Sequence, residues 1–145
     1  MMGSERRARS SDGSAALELV VLAPVLLALL GLVIAAGRTS VAQGSVEAAA
    51  RDAARQASIA LTPAAARADG QASAEAALRG DGLDCDPVVS VDVSQFWTVP
   101  PGQPASVSAT VRCTVPLSNL ALPGLPGSHT LTAHFSSPLD VFRVR

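Results

Sequence analysis

Aromatic side chains are scarce: three Phe, one Trp and no Tyr in 145 residues. Much of the apolar content is alanine, which buries little area, so any folded part has a thin core. Lysine is absent, and all eleven basic residues are arginines. The net charge of −1 gives no general attraction to nucleic acid. Only two cysteines and two histidines are present, and their spacing matches no zinc site. His129 and His134 have no Ser, Cys and carboxylate arrangement around them, and no glycine-rich loop stands between a strand and a helix. Asp81, Asp84 and Asp86 lack the ligand spacing of a calcium loop and are read as a solvated turn. The composition therefore points away from an enzyme, and no cofactor or metal is expected.

What is present is one long apolar run. Leu19 to Ala36 contains no charged or strongly polar residue. With its small flanking residues it reaches the roughly 20 positions a helix needs to cross ~30 Å of hydrocarbon. Pro24 lies inside it, where it loosens the helix and frees a carbonyl. Arg38 closes its far end. Before the run, Met1 to Asp12 carries Arg6, Arg7 and Arg9 among small polar residues and is read as a disordered arm. Arginines beside a span tend to stay cytoplasmic, so the remainder of the chain is expected outside.

Three readings compete for the run. A secretory signal has an apolar core of roughly 7–15 residues and a small-residue cleavage site. This run is longer, and Ile34-Ala35-Ala36-Gly37 is a poor version of such a site. A plain anchor is the second reading. Neither accounts for Glu18, because a carboxylate at a membrane boundary is costly unless interfacial, paired or protonated. The third starts from Gly13-Ser14-Ala15-Ala16-Leu17-Glu18 followed by the apolar run. That order resembles the processing site of type IV prepilins. The resemblance implies a cut after Gly13 by a membrane prepilin peptidase on the cytoplasmic side. Ser14 would become the new N-terminus and Glu18 the fifth residue. Glu18 would then pair with the free amine of a neighbouring subunit and set register between helices, since opposite charges at low dielectric attract strongly when paired. Pro24 falls close to a position where pilin helices are often broken.

More narrowly, the chain resembles the TadE-like family of the tight-adherence (Flp) pilus. The residues that carry this are Gly13 to Glu18, the span ending in Gly37-Arg38, and the alanine-rich stretch with Glu47, Arg51 and Arg55. Gly82-Leu83-Asp84-Cys85, Val111 to Leu117, Leu122-Pro123-Gly124-Leu125-Pro126-Gly127 and Ser137-Pro138-Leu139-Asp140 are similar to actinobacterial members. Many members have an aromatic residue after the glutamate, where this chain has Leu19. The family implies a minor pilin or pseudopilin in the cell membrane, with a cytoplasmic N-terminus and an extracytoplasmic C-terminus. Its partners would be the membrane, the prepilin peptidase, other pilins and TadE/TadF-like subunits, and the pilus assembly platform. The alternative is an uncleaved, single-span, membrane-anchored binding domain.

After Arg38, Val46, Ala50, Ala53, Ala57 and Leu61 recur at steps of three and four, a narrow helical stripe. Glu47 with Arg51 and Asp52 with Arg55 add favourable pairs. A bend near Gly37 or Gly44 is allowed for. Thr62-Pro63 ends this helix and starts another, roughly Pro63 to Arg79, with Asp69-Gly70 as a weak middle and Gly80 as its stop. The remainder reads as strand. Val89, Val91, Val93 and Trp97 alternate with polar residues, and so do Ala105, Val107, Ala109, Val111, Cys113 and Val115. A third strand has Leu131, Ala133 and Phe135 inward. Pro100-Pro101-Gly102 makes the first hairpin turn. The expected fold is α+β: a membrane-spanning helix continuing into an alanine-rich helix, packed with a three-stranded antiparallel sheet. Its segments are a leader over 1–13, the span over 14–37, a helical region over 38–80 and a β region over 81–145.

A turn at Pro100 to Gly102 makes residues whose numbers sum to about 200 face each other. Cys85 and Cys113 then share one end of the sheet, and a disulfide between them is expected. Leu117, Leu120, Leu122 and Leu125 lie in the next loop, where they either cover the sheet or meet a partner.

Overall fold

The computed structural model describes residues 9–120 and 126–140, with side chains from Leu17 onward. Leu122 and Leu125 lie outside the described residues. The fold is α+β, as expected. Helix α1 (Arg9–Ile59) is followed by α2 (Pro63–Gly80), β1 (Asp86–Asp92), the short α3 (Gln95–Thr98), β2 (Ser106–Pro116), the short α4 (Leu117–Leu120) and β3 (Ser128–Pro138). The three strands form an antiparallel sheet in the order β1-β2-β3.

α1 is one helix of 51 residues, and Pro24, Gly37 and Gly44 all lie inside it without ending it. It begins at Arg9, so the end of the arm expected to be disordered is helical. Adding turns to a formed helix costs far less than nucleating one, so the apolar span extends its helix backward. Beyond Ala42 one side of α1 is buried through Val46, Ala49, Ala50, Ala53, Ala54 and Ala57. That stripe is wider than the expected one and stops short of Leu61, which is exposed because α1 has already ended at Ile59.

Thr62 caps α2, its hydroxyl accepting the Ala65 N–H at 3.1 Å, with Pro63 in the first turn. At the other end Gly82, at φ 68°, is the left-handed residue. The Leu83 N–H bonds the Leu78 carbonyl and the Gly82 N–H bonds the Arg79 carbonyl, a Schellman arrangement. The stop is thus made by Gly82 rather than by Gly80. Gly70 also departs from expectation. It is no weak point: a Cβ there would lie 3.1 Å from the Ala53 carbonyl oxygen and 3.1 Å from the Val91 Cγ2. Alanine on α1 and glycine on α2 let the two helices approach closely.

β2 buries Val107, Ala109, Val111, Cys113 and Val115 on one face, with Ala105 buried just before it, as the alternation predicts. The β1–β2 register pairs Asp86 with Thr114 and Val89 with Val111, each pair summing to 200. The Pro100–Gly102 turn is closed by the Gln103 N–H on the Pro100 carbonyl. Trp97 breaks the expected strand pattern. The Ser94 N–H donates to an Asp92 carboxylate oxygen at 2.9 Å, β1 stops there, and Trp97 sits exposed on α3. Phe135 is only partly inward, and the Arg51 guanidinium stands 5.4 Å from its ring centre. Gln43 donates to the Thr132 carbonyl. From Gln43 to Arg51 along α1 is ~12 Å, and from Thr132 to Phe135 along β3 is ~10 Å, so the two elements run side by side in one direction.

The core has two parts. The larger joins α1 (Ala42 to Ala54), Ala74 and Leu78 of α2, Ala109, Val111, Cys113 and Val115 of β2, Leu120, and Leu131 and Ala133 of β3. The smaller joins Ala57, Ala66, Val93, Phe96, Ala105, Val107 and Leu139 at the end farthest along α1 from the apolar run.

Candidate processing and assembly site

The apolar run is rich in Leu and Ala, both good helix formers, and apart from the carbonyl freed at Pro24 its helix keeps the backbone hydrogen bonds internal, the requirement in lipid. From Leu17 to Ile34 the large apolar residues are exposed, 47% to 71%. The domain covers none of them. The helix is long and apolar enough to cross a membrane, with a mean hydropathy of 3.0 over its most apolar stretch. Charge brackets it at both ends: Glu18 and Arg38 are twenty residues apart, ~30 Å along a helix, the thickness of a hydrocarbon core.

Glu18 is exposed on α1, and its carboxylate makes no hydrogen bond or ion pair with the described residues. Gly13 and Ser14 lie one turn before it, on backbone that is helical. Pro24 follows Glu18 by six residues, within the same helix. Having no N–H, it leaves the Val20 carbonyl without its helical partner. The structure therefore keeps Gly13, Ser14, Glu18 and Pro24 on one helical segment, ahead of the folded domain. Where the run ends, Thr39 donates its hydroxyl to the Ala35 carbonyl at 2.9 Å, which satisfies a polar group on an otherwise apolar helix.

Cys85 and Cys113 form a disulfide with Cα atoms 5.7 Å apart. Cys85 immediately precedes β1, and Cys113 faces Pro87 across the ladder. The bridge ties the α2–β1 turn to the central strand, beside buried Leu78. Asp81, Asp84 and Asp86 are exposed around that turn. His134 reaches the Thr110 hydroxyl at 3.1 Å on the outer face of the sheet, and His129 is exposed opposite Val115. Among the described residues no three His, Cys, Asp or Glu side chains gather in a way that could hold a metal ion.

Gln43 had no place in the sequence reading. Its side-chain amide also donates to Glu47, so Gln43, Glu47 and Arg51, at intervals of four, form a polar edge of α1 beside β3. That interval was the available signal.

The family model for TadE-like proteins matches residues 13–55. The match starts at Gly13 and takes in Glu18, the whole apolar run and the alanine stripe through Ala54, and bears out the resemblance over those residues. A TadE-like segment points to a pilin-like protein associated with the tight-adherence pilus and with the membrane. No curated protein and no solved structure matches the chain.

Proposed function

We propose, taking the TadE-like segment over residues 13–55 as the premise, that the chain is a minor pilin or pseudopilin of a tight-adherence pilus. It is inserted with its N-terminus in the cytoplasm and its α+β domain outside. A prepilin peptidase cuts it after Gly13, and it is drawn from the membrane into a pilus or its assembly complex. The observation that carries this reading is the order of parts along α1. A glycine precedes a glutamate by five positions, and an apolar helix uncovered by the domain follows.

The chemistry is that of a stored helix. In lipid, the exposed Leu and Val side chains hold the chain in the bilayer. In a fibre the same surface is buried against other helices, so one apolar face serves both states. Glu18 resists lipid burial alone. Paired with the new amine at Ser14 of a neighbour, its charge is compensated, which favours one register over others. No reaction is assigned to the chain, which is the peptidase's substrate in this account.

Expression in cells with and without a prepilin peptidase tests the reading. A peptidase-dependent increase in gel mobility is expected, lost in Gly13→Leu. Equal mobility in all three samples contradicts processing and leaves an uncleaved anchored domain.

A further inference from the structure

Where α1 leaves its apolar run, a groove of about 370 Å³ opens between that helix and the base of the domain. Ile34 and Val41 form its floor on one face of α1, and Leu83 and Leu120 its opposite wall. Arg38 and Asp81 also line it. Among the described residues neither forms an ion pair, so one positive and one negative charge face the same groove unpartnered. Val41 is 72% exposed despite its position beside the core.

Depth along the helix decides what fills such a groove. Ile34 is within the apolar run, and Arg38 stands two residues, ~3 Å, beyond its last residue. A bilayer adds roughly 5–7 Å of headgroup layer on each side of its hydrocarbon core. The lower end of the groove is thus continuous with the lipid-facing surface of α1, and Arg38 lies at phosphate level. We propose that the groove holds one phospholipid of the leaflet on the domain's side, with an amine-bearing headgroup. This rests on α1 being membrane-spanning. The acyl chains run down along Ile34. The lipid phosphate takes the Arg38 guanidinium, whose fork of donors fits phosphate oxygens, and the ammonium takes the Asp81 carboxylate. The domain is thereby seated on the bilayer until the helix is withdrawn.

The full chain is reconstituted in nanodiscs of phosphatidylethanolamine, phosphatidylglycerol or phosphatidylcholine, released into detergent, and weighed by native mass spectrometry. One phosphatidylethanolamine retained per chain is expected. Val41→Trp fills the groove and Arg38→Gln removes the phosphate contact. Arg38→Gln should lower retention about tenfold, the scale of one charge-assisted hydrogen bond, and Val41→Trp, by occupying the space, at least as much. Asp81→Asn should abolish the preference for the amine headgroup. Val88→Ala, on the outer face of the sheet, should change nothing. Equal retention by wild type and Val41→Trp, or disulfide-linked dimers through Val41→Cys at high yield, overturns the proposal in favour of an empty groove or a second copy. Alkaline extraction of membranes is the separate check. If the wild type resists extraction but retains no lipid, only this proposal falls. If it is extracted, the spanning helix falls too and takes the proposal with it.

Discussion

Replacing Gly70 by alanine sets two effects against each other. In a helix interior the change is favourable by about 0.8–1.0 kcal/mol, because glycine loses more backbone freedom on folding. At Gly70 the added carbon would lie 3.1 Å from the Ala53 carbonyl oxygen and 3.1 Å from the Val91 Cγ2. Carbon atoms prefer ~3.5–4.0 Å, so the Val91 contact would be shorter than the optimum and repulsive. Neither neighbour yields easily. The carbonyl belongs to the middle of α1, and valine is stiff about χ1. Overpacking of this kind costs about 1–3 kcal/mol, so Gly70→Ala should destabilise by ~1 kcal/mol net. Gly44→Ala is the control. It also lies in a helix but meets nothing within 4 Å, so it should stabilise by ~1 kcal/mol from propensity alone. Urea unfolding of the full chain in mild detergent, followed through the single Trp97 beside buried Phe96, measures both. The double variant Gly70→Ala, Val91→Ala should recover part of the loss relative to Val91→Ala alone, since one of the two close contacts is gone. Equal stabilisation by Gly70→Ala and Gly44→Ala would refute the close helix approach.

Three further outcomes are expected. Removing the disulfide as Cys85→Ala with Cys113→Ala frees a 28-residue separation, worth ~3.6 kcal/mol in the loop-entropy account, and an unchanged urea midpoint would contradict the bridge. The Ser94 N–H and then its hydroxyl, with Arg67 contributing attraction, hold the Asp92 carboxyl below its ordinary value against a small opposing effect of burial. Its contribution to stability is therefore full above the unfolded carboxylate pKa of about 3.9 and disappears as pH falls through the lower folded value; Asp92→Asn should flatten that part of the acid limb in a pH series of melting curves. Glu18→Ala should still insert and be cut but reach the sheared surface fraction in reduced amount, and normal recovery there would remove the register role of Glu18.

The parts most legible in the sequence were those governed by local rules. The period-two pattern of Ala105 to Val115 specified which face of β2 is buried, and the Pro100–Gly102 turn specified the ladder opposite it. Thr62-Pro63 announced the start of α2 through the same hydroxyl and ring that cap it. Gly70 and Gly82 were harder, because a glycine's role depends on what approaches it or on its backbone angle, and neither is local composition. Trp97 departs from the strand pattern for a related reason. Alternation continued past Asp92 on paper, while the Asp92–Ser94 turn had already ended the strand. Phe135 stays partly exposed and meets Arg51, a partner 84 positions earlier that no window reveals. At the candidate site, the spacing of Gly13, Glu18 and the apolar run was evident at once, whereas the groove beside Arg38 needed Asp81, Leu83 and Leu120 brought to it by the fold.

The central claim is that the chain is cut once, between Gly13 and Ser14, leaving Glu18 as the fifth residue of a helix that is kept. Mass spectrometry of the protein isolated from membranes of its own cells reads that bond directly. A chain beginning at Ser14 with the apolar helix intact is the expected result. A chain retaining residues 1–13, or one beginning beyond Ala36, would contradict it.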